Sequence, residues 1–136
     1  MDGMMRGKYS DNFRMARSGK LVEKADGTYG LIQLPKYAFI SQIWVNVTQA
    51  YAGGTTGAAT LGFAGNATTA DVDGFMDATA LGARAAGFKI MTDDAQPGSL
   101  GKWFSGGRGT ITITLAKGDD TTLLIAEAFC HYSVIH

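Results

Sequence analysis

The chain has 136 residues, 46% of them hydrophobic and 18% charged, and its twelve Lys and Arg balance its twelve Asp and Glu. That length fits one domain able to bury a core without a disulfide framework, and the balanced charge gives no whole-molecule field toward nucleic acid or an anionic membrane. A single cysteine, Cys130, excludes an intramolecular disulfide and favours a reducing compartment, and no apolar run approaches the ~20 residues of a membrane-spanning helix. Synthesis in the cytosol without export is expected.

Charge is uneven along the chain. Residues 1–20 hold Arg6, Lys8, Arg14, Arg17 and Lys20 against Asp2 and Asp11, while the rest leans acidic. This leading segment also carries Tyr9 and Phe13 but has no clean period of 3.6 or of 2, so it is expected to lie outside the body as an extended arm that orders on a partner. The body is expected to span residues 21–136, with no internal repeat and no second domain.

From residue 21 onward the signal is β. TYGLIQL (28–34) is a short strand candidate. In FISQIWVNVT the period of two puts Phe39, Ile43, Val45 and Val47 on one face and Gln42, Trp44, Asn46 and Thr48 on the other. AATLGFA (58–64) and GFKIM (87–91) are further short candidates, separated by Gly-, Asp- and Pro-containing turns. Residues 67–87, rich in Ala and Asp, are expected to form a long loop with one short helix capped by Asp73 or Asp77.

TITITL alternates Ile111, Ile113 and Leu115 with Thr110, Thr112 and Thr114, the clearest strand in the chain. The closing run sets Leu124, Ala126, Ala128, Cys130, Tyr132 and Val134 on one face and Ile125, Glu127, Phe129 and His131 on the other, as a central strand would. Many short strands with regular turns predict an all-β, antiparallel, jelly-roll-like sandwich with one short helix and an extended N-terminal arm.

Candidate chemistry is sparse. Gly106-Gly107-Arg108-Gly109 leads into a strand, whereas a phosphate-cradling loop leads into a helix N-terminus after Lys and Ser or Thr; one RGG-like copy also supplies little nucleic-acid affinity. The loop is expected to be a turn whose glycines permit positive φ, with Arg108 exposed. Asp71, Asp73 and Asp77 resemble a fragment of a calcium loop, but the acidic closing residue is missing, so a turn and helix cap is the simpler reading. Cys130 and His131 are adjacent on one strand and point to opposite faces, so they cannot act as nucleophile and base together. No cofactor, metal site or catalytic constellation is expected, and the protein reads as non-enzymatic.

Surface is what remains. Trp44, Phe63, Phe75, Trp103, Phe104 and Phe129 are more bulky rings than a small sandwich readily encloses, so some are expected at contacts between chains.

The order IWVNVTQAYAGGTTGAATLGFAG, DVDGFMDATALGARAAG and KWFSGGRGTITITLAKGDDTTLLIAEAFCHY resembles small jelly-roll structural proteins of tailed bacteriophages, over Leu31 to Tyr132. These are capsid decoration (cement) proteins, head-fibre components or other virion structural proteins. The resemblance implies a homotrimer on the capsid exterior, assembled in the host cytoplasm, that binds and stiffens the shell of the major capsid protein, with no nucleic acid or membrane as partner. Position and residue type then give Arg6, Lys8, Arg14 and Arg17 as ion-pairing groups toward the capsid and Tyr9 and Phe13 as apolar anchors. Trp44, Trp103, Phe104 and Phe129 are expected at subunit contacts. The alternative is a fibre or tail-tip module binding cell-surface carbohydrate, with Trp103 stacking on a sugar ring and Asp119 and Asp120 accepting hydroxyl hydrogen bonds.

Overall fold

A computed structural model describes residues 14–65, 70–92, 96–98 and 101–135. The elements in chain order are β1 (Arg14–Val22), β2 (Gly27–Leu34), β3 (Ala38–Gln49), β4 (Ala58–Gly65), β5 (Asp71–Met76), α1 (Ala78–Leu81), β6 (Gly87–Ile90), β7 (Lys102–Trp103), β8 (Gly109–Ala116) and β9 (Ile125–Val134). The first sheet runs β1-β9-β3-β6, with β7 also paired to β3, and the second runs β2-β8-β4-β5. Every pairing is antiparallel. The chain is an all-β sandwich.

The core follows from alternation on the long strands. Ile111, Ile113 and Leu115 of β8 and Ala59, Leu61 and Phe63 of β4 face Ile43, Val45 and Val47 of β3 and Ala126, Ala128 and Cys130 of β9, all in one buried cluster. Burying such side chains is worth ~1.5–3 kcal/mol each for the larger ones, which is what holds the two sheets together. Small residues on β9 leave room for the branched chains opposite, as interdigitating layers require.

Three expectations need correction. Phe39 does not share a face with Ile43. The register shifts between Ile40 and Gln42, so Ala38 and Ile40 point inward ahead of the shift and Ile43 after it, while Phe39 faces outward beside Trp103 and Ser133. An extra residue in one strand reverses the parity of everything beyond it.

The second concerns the N-terminal arm. Arg14–Val22 is an edge strand, paired with β9 from Arg14 opposite Tyr132 to Val22 opposite Ile125, so residues 14–20 belong to the body. Its register shifts between Arg17 and Lys20, where Gly19 has a φ of 73° and the Ala128 backbone N–H donates to Ser18 Oγ at 2.9 Å. That bulge puts the core-facing Ala16 and Leu21 an odd number of positions apart, which hides the strand from a period-two reading. Arg6, Lys8, Tyr9 and Phe13 lie outside the described residues.

The third concerns residues 67–87. Asp71–Met76 is a strand, not a loop, and buries Phe75 and Met76. The short helix follows, with Asp77 as its N-cap and Gly82 in the left-handed region as its C-cap.

Candidate interaction surface

The two outer faces of the sandwich differ in chemistry. On the second sheet, Thr28, Thr114 and Thr60 line up across β2, β8 and β4, and the next row is Gly30, Thr112 and Gly62. Hydroxyls and small groups cover this face across β2, β8 and β4, with Val72 exposed on the edge strand β5, and Thr28 and Thr114 hydrogen-bond through their Oγ1 atoms at 2.9 Å.

The outer face of the first sheet is aromatic. Arg17, Phe129, Trp44 and Ile90 form one row across β1, β9, β3 and β6, flanked by Met15, His131 and Gln42 on one side and by Glu127, Asn46 and Phe88 on the other. The Trp44 and His131 rings meet edge to face with centroids 4.8 Å apart, and Phe88 lies 6.5 Å from Phe129. Met15, Trp44, Phe88, Phe129 and His131 line a shallow groove of ≈ 630 Å³.

Strand β6 adds exposed apolar groups to this face. Lys89 points the other way and donates from Nζ to the Gly82 carbonyl at 3.0 Å, at the C-terminus of α1. Phe88 and Ile90 are turned out instead, 69% and 47% exposed, with Met15 of β1 63% exposed. Contiguous exposed apolar surface of this kind is a common mark of contact sites.

Charge on this face is locally neutralised. Arg17 donates from Nε and Nη2 to Glu127 Oε2 at 3.0 and 2.8 Å, and its guanidinium lies 5.4 Å from the Phe129 ring centroid. Arg17, expected to ion-pair toward the capsid, is engaged with Glu127 within its own chain while its side chain stays exposed. Arg14 is exposed on β1.

Of the four rings expected at subunit contacts, Trp44 and Phe129 stand together on the aromatic face, half-buried. Phe104 does not. It is 0% exposed, packs with its ring centroid 6.4 Å from that of Phe63, and crowds Gly109, where an added Cβ would come within 2.4 Å of it. This also corrects the reading of the Gly106-Gly107-Arg108-Gly109 turn: none of its glycines has positive φ, and Gly109 is needed for close approach. Arg108 is exposed, as expected. Trp103 is 44% exposed at the edge of the sheet, with its indole N–H directed at the Tyr37 and Ile135 carbonyls, 3.2 Å from each.

The carboxylates are occupied structurally. Asp119 Oδ1 accepts from the backbone N–H of Thr55 and of Thr56, each at 2.8 Å, and from Thr56 Oγ1 at 2.7 Å; these bonds hold its carboxyl well below the usual range. Asp120 is buried and accepts from Arg84 and from the backbone N–H of Gly54 and Gly57, and Arg84 leads the causes that lower its pKa. Trp103 pairs with Phe39 at the start of β3, whereas Asp119 and Asp120 grip the loop beyond the other end of this twelve-residue strand, ~40 Å long at a strand's usual rise. The groups assigned to a sugar site thus lie at opposite ends of the body.

Asp77 Oδ1 accepts from the Ala80 backbone N–H at 2.8 Å as the helix cap. Asp71 and Asp73 share a face of β5, where a hydrogen bond between their side chains raises the Asp73 pKa. Among the described residues no three His, Cys, Asp or Glu side chains converge as metal ligands.

Met15, Phe88 and Ile90 are members of the aromatic face that sequence reasoning did not assign to it, whereas His131 was read on the same face as Phe129. Alternation within GFKI could have flagged Phe88 and Ile90, since they share a face opposite Lys89. Met15 was hidden by the bulge in β1.

No family model matches the sequence, and no curated protein does. Solved structures do match. A chain of the capsid of Ralstonia phage GP4 aligns with a TM-score of 0.65 at 15% identity, over 92% of this chain and 86% of that one. The fold is that of phage capsid chains. A chain from the acidic stable capsid of Helicobacter pylori bacteriophage KHP30 aligns at 0.62 and 14% identity, over 90% of this chain and 87% of that one. A chain of the cyanophage Pam1 capsid asymmetric unit aligns at 0.58 and 14%, over 91% and 83% respectively. The match runs through the whole sandwich rather than one sheet of it.

Proposed function

We propose that this protein is a non-enzymatic structural subunit of a tailed-phage virion, a decoration (cement) protein on the outside of the shell that associates as a homotrimer and stabilises the major capsid protein lattice. The observation that carries this reading is the coincidence of a capsid-chain fold over nine-tenths of the sequence with an aromatic outer face on only one of the two sheets.

In this reading Trp44 and Phe129, with Met15, Phe88 and Ile90, form the contact between subunits, and the basic side chains Arg6, Lys8 and Arg14 reach the shell. Arg17 serves the subunit's own face through Glu127. Exposed ion pairs contribute only ~0–1 kcal/mol each, and ordering an extended segment costs ~1–2 kcal/mol per residue in backbone entropy. One subunit therefore binds weakly, and three linked subunits gain through effective concentration. The carbohydrate alternative finds no favouring observation, because Trp103 and the Asp119–Asp120 pair do not share a site.

Cosedimentation with purified, undecorated shells tests the proposal. Saturable binding of the intact chain, with a raised shell melting temperature, is expected. Absence of binding to shells of the cognate phage would overturn it.

A further inference from the structure

The aromatic groove and the thirteen residues preceding Arg14 are related by strand parity. On β1, Met15 and Arg17 face the groove side, whereas Ala16 packs against the core. Carried back along an extended chain, the groove-side parity falls on Phe13, Tyr9 and Met5, with Gly7 and Asp11 between them, and the opposite parity on Arg6 and Lys8. The alternation is imperfect, with Asp11 among the apolar groups and Asp2 and Met4 on the side of Arg6 and Lys8, but an extended chain would keep its three large apolar groups Met5, Tyr9 and Phe13 together.

Direction decides whose groove it reaches. β1 enters the sheet opposite Tyr132 and runs toward the partner of Ile125, passing the groove at Met15 and Arg17. The chain therefore enters β1 from the Tyr132 end, on the side away from the rest of the groove. Only Ser133 and Val134 of β9 lie beyond Tyr132, so an extended chain continuing that line, at ~3.3 Å per residue, would clear its own sheet within a few residues. Return to its own groove would require a reversal and a crossing of the strands.

We propose that residues 1–13 of one copy lie in the aromatic groove of a second copy, with Met5, Tyr9 and Phe13 against Met15, Trp44, Phe88 and Phe129. Methionine sulfur and aromatic edges both suit a groove lined by rings, and ring pairs there gain energy beyond area burial. Arg6 and Lys8 are then left on the outward side. This exchange would hold the subunits together without any shell, so it stands or falls independently of the proposed virion role.

The test uses the full chain with Tyr9 replaced by the photo-crosslinker p-benzoylphenylalanine, as equal amounts of ordinary and nitrogen-15-labelled protein mixed before refolding. Crosslinks from position 9 to peptides carrying Met15, Trp44, Phe88 or Phe129 are expected, with light-to-heavy pairs in statistical proportion. Crosslinks only within one isotope would overturn the proposal in favour of the chain's own groove, and crosslinks that miss the groove would overturn it outright. Phe88→Ser, at an exposed position, is expected to lower the groove crosslink yield, and an unchanged yield counts against the proposal. The readout needs only isolated protein, so a shell-binding failure and a crosslinking failure remain distinguishable.

Discussion

Trp44 stands directly opposite Phe129 across the β3–β9 ladder, and both rings are turned away from the core that Val45 and Ala128, the next pair along, help to fill. One ladder thus supplies the interior of the subunit with one parity and its aromatic outer face with the other. Cross-strand ring pairs contribute ~0.2–1 kcal/mol within a sheet, so this pair alone does not explain the expanse of apolar surface around it. Covering by another chain, as proposed, would account for it.

Substitutions should separate the two roles. Phe104→Ala, in the core, is expected to cost ~3–5 kcal/mol of folding stability in denaturant titrations. Phe129→Ala is expected to cost much less, while shifting the light-scattering mass toward a single subunit. Equal destabilisation by both, with unchanged mass, would mean that the outer face serves only its own sheet.

Tyr51 is buried, and among the described residues no partner reaches its hydroxyl. Burial, then Asp26 and Asp120, push its pKa from 10.0 up to about 12. Because the folded value is raised, the neutral phenol's contribution is fully present below pH 10 and lost as pH rises toward 12. Tyr51→Phe is expected to leave stability at neutral pH unchanged or raised by up to ~1 kcal/mol, and to remove this part of the alkaline loss in paired melts across that window.

Acid should act through the opposite sign. Asp119 and Asp120 have lowered folded pKa values, so their contribution is complete above the unfolded carboxyl value of ~3.9 and is lost as pH falls through the folded ones. Asp120→Asn is expected to lower the melting temperature at neutral pH and to flatten the acid limb of the stability profile. An acid limb identical to that of the parent would show that the Arg84–Asp120 clasp contributes nothing.

Gly62 lies where β5 closes on β4. An added Cβ would sit 1.9 Å from the Asp71 carbonyl oxygen and 2.5 Å from the Val72 carbonyl carbon, both backbone, and Thr60 Oγ1 already donates to the Val72 carbonyl at 2.7 Å. Gly62→Ala is expected to cost ~1–3 kcal/mol or more, measured by denaturant midpoint at constant slope.

Cys130 faces the core, and burial pushes its thiol up to about 11. Because the thiolate is the nucleophile, alkylation at neutral pH is expected to proceed only through unfolding and to track the unfolded population as denaturant rises. Rapid labelling of the native chain would contradict this placement.

Much of the sandwich was legible because long strands buried on one face keep strict alternation. TITITL and the run from Leu124 to Val134 have the facing read from the sequence, and Trp44 with Phe129 was placed outward by the same parity. Parity reasoning failed where an inserted residue reverses it, at Ser41 for Phe39 and at Ser18–Gly19 for β1. It also failed where tertiary packing decides: Phe104 precedes a glycine-rich turn that reads as surface, yet Gly109 opens a place for its ring beneath β8. The aromatic face was partly legible, since Trp44, Phe129 and His131 lie on long strands, whereas Phe88 lies on a four-residue strand and Met15 on a bulged edge.

Electron cryo-microscopy of the phage particle tests the central reading most directly. The expected map shows this chain on the outside of the shell with the Met15–Trp44–Phe88–Phe129 face covered by a neighbouring copy. A map that places it in the tail, or leaves that face open to solvent, would contradict it.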